Sequence, residues 1–214
     1  MTGSIWEIIK EKRNCKGCPL KDAPQLLLNV DKKVNVMVIT EGPNVEAPKE
    51  FITSIANYPT FMYLQTLFKG NFHPYGKDAT VYWTHVRKCF IKNCKGRRFV
   101  DKKGEKKALK VCSDAYLEDE IKTVKPKLIV AVGRKATDFL SRYNQKLKSK
   151  LKTLMTSENL TVIIDGMVSE VVVVPHPSGR SRTLTNLEKD ENWKEIRDAL
   201  ERISEKIVKA VSNY

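Results

Sequence analysis

The 214-residue chain has no apolar run approaching the ~20 residues that a membrane-spanning helix needs, so no membrane partner is expected. Its opening residues, MTGSIWEIIKEKRN, lack the long apolar centre of a secretory signal, and an intracellular, cytoplasmic protein is expected. There is no internal repeat and no sign of a second domain, which predicts one α/β domain over residues 1–214, expected to be a monomer. Acid is scarce beside base: 25 Asp and Glu face 39 Lys and Arg, a formal net charge of +14. A field of that sign disfavours cationic partners and favours a polyanion, above all nucleic acid. A Lys/Glu-rich thermophilic surface would explain many charges but not their imbalance. With 41% hydrophobic and 30% charged residues, the composition is that of a soluble globular chain with a sizeable core.

The apolar runs KVNVMVIT (33–40), TVYWTHV (80–86), PKLIVAVG (126–133), TVIID (161–165) and EVVVVP (170–175) predict strands. TFMYLQTLF (60–68), ALKVCSDAYLEDEIKTV (108–124) and RKATDFLSRYNQKL (134–147) predict helices between them, and a short amphipathic helix is expected over 4–13. At the other end Trp193, Ile196, Leu200, Ile203 and Ile207 recur at spacings of three and four, an amphipathic helix whose apolar face is core. Strands that read as continuous apolar runs belong in a parallel or mixed sheet covered on both faces. Sites on such sheets gather at the carboxyl ends of the strands. Three ends carry chemistry: Glu41-Gly42-Pro43-Asn44 after the first, Thr84-His85 at the second, and His176-Pro177-Ser178 after the last. If those strands are neighbours, one crevice collects Glu41, His85 and His176. Between them, residues 95–107 hold seven Lys/Arg and two acids and predict a basic loop that either contacts phosphate or is a solvated surface.

Five cysteines are present: Cys15, Cys18, Cys89, Cys94 and Cys112. In a cytosolic chain metal is the expected use rather than disulfides. Cys15 and Cys18 form a Cys-x2-Cys knuckle, whose bland alternative is two small buried thiols. Zinc sites usually bring a second short pair. Here 22 residues lie between Cys89 and Cys112, or 17 between Cys94 and Cys112, which favours an iron–sulfur cluster with zinc as the alternative.

The ordered series CKGCPL, TEGPN, THVRKC, a helical Cys, KLIVAVGRKA and VPHPSGRSR resembles the uracil-DNA glycosylase superfamily, in its iron–sulfur, family-4-like branch. There the pattern runs Cys-x2-Cys, Gly-Glu-(Ala/Gly)-Pro-Gly, Thr-Asn-Val-Val-Lys-Cys, Cys, Ile-Val-x-Leu-Gly-x-x-Ala and His-Pro-Ser; the resemblance spans roughly residues 12 to 187. It implies a three-layer α/β/α sandwich around a mostly parallel four-stranded sheet. It implies hydrolysis of the N-glycosidic bond to a deaminated base flipped out of DNA. Glu41 would position water or stabilise the cationic sugar, and His176 would stabilise charge on the departing base. Gly42, Pro43, Asn44, Phe51 (with Tyr58 behind it) and His85 would line the base pocket. Ser178, Gly179, Arg180 and Arg182 would meet DNA, Arg180 standing where an apolar wedge is usual. The cluster, 4Fe–4S by resemblance, would be held by Cys15, Cys18, Cys89 and Cys112, with Cys94 as the alternative to Cys89.

Three departures stand out. Asn44 replaces the usual glycine, and no stacking aromatic follows at once. His85 replaces the Asn that reads the uracil edge with both a donor and an acceptor. The long stretch between Cys89 and Cys112 resembles the basic insertion of X-type uracil-DNA glycosylases, but Arg97-Arg98-Phe99-Val100 lacks the histidine that traps covalently there. Arg97 and Arg98 are expected to bind phosphate. A non-catalytic DNA-binding module on the same fold is therefore kept beside the glycosylase; a zinc-ribbon RNA-binding protein leaves Glu41 and His-Pro-Ser unexplained.

Overall fold

The computed structural model describes residues 4–23, 25, 33–43, 58–90, 93–94, 97–98, 101–177 and 193–212, and for 93–94, 97–98 and 193 the backbone alone. Four strands, β1 (Val36–Thr40), β2 (Val81–His85), β5 (Leu128–Val132) and β7 (Met167–Val174), run parallel in the order β2-β1-β5-β7. A fifth, β6 (Thr161–Ile164), joins the β7 edge antiparallel. The sheet is thus mixed and five-stranded rather than four-stranded. The extra strand exists because Asp165 and Gly166 both take positive φ (52° and 75°), the two-residue turn that folds a strand back on its neighbour.

Alternate residues of the central strands supply two cores. Met37, Ile39, Ile129, Ala131, Val171 and Val173 pack on one face with Leu117 and Ile121 of α4 (Glu118–Val124 and the turn before it) and Phe139 and Leu140 of α5 (Gly133–Leu140). Val36, Val38, Val130, Val172 and Val174 pack on the other with Phe61 and Leu64 of α2 (Pro59–Leu67) and Ile203 and Ile207 of α6 (Trp193–Ser212). Every residue of β1, β2 and β5 is buried, as strands covered on both faces require. This is the expected α/β/α sandwich.

Two helical readings change. The 134–147 stretch is not one helix: α5 ends at Leu140, and a 3-10 turn, Gln145–Lys148, starts afresh where the Asn144 side chain accepts the Lys146 N–H at 3.0 Å. The basic loop is shorter than expected. β3 (Asn93–Cys94) and β4 (Arg97–Arg98) pair antiparallel, and α3 (Lys102–Cys112) begins behind Asp101, whose carboxylate accepts the Gly104 N–H at 2.7 Å as an N-cap. From α3 the chain continues through a π-helical turn, Ser113–Leu117, into α4. Ala108, Cys112 and Tyr116 face the N-terminal segment (with α1, Ile5–Lys10), whereas Leu117 and Ile121 face the sheet.

Candidate active site

The four parallel strands end along one edge of the sheet. β2 delivers His85, β1 leads into Glu41, β5 into Gly133, and β7 into His176. Glu41 and His85 are on adjacent strands; β5 separates β1 from β7. Pairing continues past the strands: the Val86 N–H donates to Thr40 O at 2.8 Å and the Arg87 N–H to Glu41 O at 3.0 Å. The turn carrying Glu41 is therefore fastened to the turn after His85. His176 crosses β5's end by packing on Gly133. That glycine has φ +78°, and a Cβ on it would lie 2.9 Å from the His176 Cβ. His176 is half-buried, and burial lowers its pKa, which keeps the ring neutral near pH 7.

His85 is 3% exposed. Its Nδ1 lies 2.5 Å from the Thr40 hydroxyl, which also accepts the Trp83 indole N–H at 3.3 Å and can donate to Thr84 O at 3.4 Å. Its Nε2 is buried and has no hydrogen-bond partner among the described residues. Burial, and then the nearby charges of Lys88, Arg87 and His176, hold its pKa well below the ordinary histidine range. His176, at the end of β7, is near enough for its charge to bear on the His85 ring.

Behind His85 lies a buried ionic network. Lys88 pairs with Glu120 and donates to Thr84 Oγ1 at 2.7 Å and His85 O at 2.5 Å. Glu120 also accepts from the Tyr82 hydroxyl at 2.7 Å and the Thr84 hydroxyl at 2.9 Å. With every charged atom answered, the pair rigidifies the end of β2.

Sequence reasoning missed Arg87. It stands at the second Val of the Thr-Asn-Val-Val-Lys-Cys pattern, a visible signal overlooked beside the His85 departure. Its side chain is buried against Gly42, and Nη1 donates to Cys89 O.

Four free thiols, Cys15, Cys18, Cys89 and Cys112, share one buried cluster with Ile9, Leu20, Ala108 and Tyr116. Sulfur receives donors: Leu20 N–H to Cys18 Sγ at 3.4 Å and Lys88 N–H to Cys112 Sγ at 3.3 Å, with the Tyr116 hydroxyl 3.2 Å from Cys15 Sγ. Burial raises the pKa of Cys18 and Cys89 and pushes Cys112 up to about 12. Among the described residues, no group of three or more His, Cys, Asp or Glu stands in an arrangement that would hold a metal ion as it is. The chemistry of the donor set nevertheless suits a thiolate-ligated group: four sulfurs from three segments, amide N–H groups aimed at two, and an apolar shell.

Pro43 is buried and Gly42 half-buried in the first loop. Tyr58 caps α2 and packs on the second core; its buried hydroxyl lacks a partner among the described residues, and burial raises its pKa to about 12. Asn44, Phe51, Ser178, Gly179, Arg180 and Arg182 lie outside the described residues, as do the side chains of Cys94, Arg97 and Arg98. No helix of the described residues is long and apolar enough to cross a membrane.

A family model described as the uracil DNA glycosylase superfamily matches residues 29–201. Comparison with curated proteins gives no match.

Proposed function

The chain belongs to the uracil DNA glycosylase superfamily, and from that premise we propose that it hydrolyses the N-glycosidic bond of uracil or another deaminated base flipped out of DNA. The observation that carries this reading is the placement of Glu41, His85 and His176 at the carboxyl ends of three parallel strands of one sheet. Cleavage builds positive charge on the sugar and negative charge on the leaving base. Glu41 would hold water or stabilise the sugar cation. His176, kept neutral by burial, would donate an N–H to the base oxygen on which charge grows. His85 Nε2 would read one atom of the base edge, where an amide reads two.

Cys15, Cys18, Cys89 and Cys112 would hold an iron–sulfur cluster, 4Fe–4S, with zinc as the alternative. Its chemistry would be structural: four thiolate bonds pinning the N-terminal knuckle to α3 and to the chain after β2. Iron and acid-labile sulfide in the purified protein test this; zinc without sulfide would replace it. Cys89 is the preferred third ligand because it lies in the thiol cluster, with Cys94 as the alternative.

A second reading, a DNA-binding module without catalysis, is favoured by His85, since one polar atom is a poor match for a uracil edge, and by the altered first loop, where Asn44 stands in place of the usual glycine. Single-turnover cleavage of uracil-, hypoxanthine- and xanthine-containing oligonucleotides, single- and double-stranded, separates the two. The glycosylase reading expects base release that falls by about 10²–10³ in His176→Ala and Glu41→Gln with DNA binding retained. No release from any substrate, by protein that binds DNA, selects the second reading.

A further inference from the structure

We propose that Arg87 is a positioning residue for the Glu41 turn: its guanidinium occupies the space a side chain at residue 42 would fill and fastens that turn to the backbone at Cys89. What Glu41 does once positioned rests on the glycosylase reading; the seating itself rests on packing alone. A Cβ on Gly42 would lie 2.5 Å from Arg87 Nη2 and 2.7 Å from Cζ. The arginine cannot simply swing aside. It is 6% exposed, Nη1 donates to Cys89 O, and its own backbone N–H holds Glu41 O at 3.0 Å. Two of these hold Arg87 against the carboxylate-bearing turn, and the bond to Cys89 O holds the arginine itself in place.

The arrangement is poor as a device for stability. Arg87 Nε is buried without a hydrogen-bond partner among the described residues, a costly state for a guanidinium N–H. Its charge is also almost wholly out of water. A valine, as in the resembling pattern, would fill the layer without either cost but would leave no fixed cation beneath Glu41. A local cost of this kind, borne next to a reacting group, is the mark of a residue kept for geometry. Misplacing a reacting group by about 1 Å costs about a hundredfold in rate.

Four proteins test it: wild type, Arg87→Met, Gly42→Ala and the double variant, each measured for single-turnover base release, DNA affinity and thermal midpoint. Methionine is long and uncharged, so the layer stays filled. The expected result is a loss of about a hundredfold in release for Arg87→Met with DNA affinity unchanged. Gly42→Ala should lower both release and midpoint, and its midpoint loss should shrink in the Arg87→Met background. Wild-type release by Arg87→Met, or strictly additive midpoint changes, overturns the proposal. If the wild type itself releases no base, the glycosylase reading fails, and the thermal cycle alone decides: non-additive changes uphold the seating of the turn, additive ones end it.

Discussion

His85 shows how one side chain sets what a site can read. The Thr40 hydroxyl has a single proton. Given to Thr84 O, it leaves His85 Nδ1 as donor and Nε2 as a bare acceptor; given to Nδ1, it makes Nε2 a donor. Either way Nε2 is the one ring atom left to meet a base under the proposed reading. His85→Asn should therefore raise uracil release relative to hypoxanthine release by about tenfold or more, the worth of one regained hydrogen bond; paired single-turnover rates check it. Titration gives a second prediction. Below about pH 6.5 the unfolded chain protonates His85 and His176, while the folded protein resists at both. The unfolded state then binds more protons, so stability is full above that pH and declines as pH falls. Urea midpoints should drop between about pH 7 and pH 5, and His85→Asn should flatten that fall. Glu41 and His176 were legible in the sequence because each follows an apolar run and so marks a strand end. Arg87 was not, because an arginine two residues past a strand says nothing of whether it points into solvent or under a neighbouring turn.

Elements, more than single residues, hold the site in shape. The π-helical turn between α3 and α4 adds a residue to a continuous helical run. It lets Cys112 and Tyr116 meet the knuckle while Glu120 reaches β2. Nothing in SDAYL announces that turn, since its residues suit an ordinary helix; only packing against two different partners selects it. The strands were legible because burial on both faces demands uninterrupted apolar runs. The β6 pairing was misjudged in the strand count because a resemblance carries a family's topology and not this chain's edge. Glu120 explains the third prediction. With Lys88 1% and Glu120 0% exposed, Lys88→Met should cost about 3–5 kcal/mol by stranding a buried carboxylate. Adding Glu120→Gln should recover most of it. Denaturant unfolding of the two variants checks the order. Gly133→Ala is a milder test of β7's aim: a Cβ 2.9 Å from His176 Cβ at a residue with φ +78° should lower base release more than DNA affinity.

At the scale of the whole molecule, the charge of +14 names a polyanionic partner but not where it lies. The fold supplies a place. On α3, Lys102, Lys103, Lys106 and Lys107 are exposed, and the knuckle exposes Lys16 and Lys21. Lys107 is near enough to Cys18 to ease its ionisation, which brings this end of the helix beside the knuckle. The basic stretch was legible as charge, yet its helical half was not, because six of the residues from 101 to 107 are charged and carry no apolar period to betray a helix. If this surface tracks the DNA backbone, duplex affinity must fall with salt by a log–log slope of about −0.9 for each phosphate neutralised. Replacing Lys106 and Lys107 together with Gln should make that slope shallower by about one to two units. It should weaken uracil-bearing and undamaged duplexes alike, because phosphate contacts position without reading sequence. An unchanged slope would move the DNA to another face and leave α3 as a solvated cover over the cysteines. A loss confined to damaged DNA would mean that these lysines act through the base site rather than on the backbone.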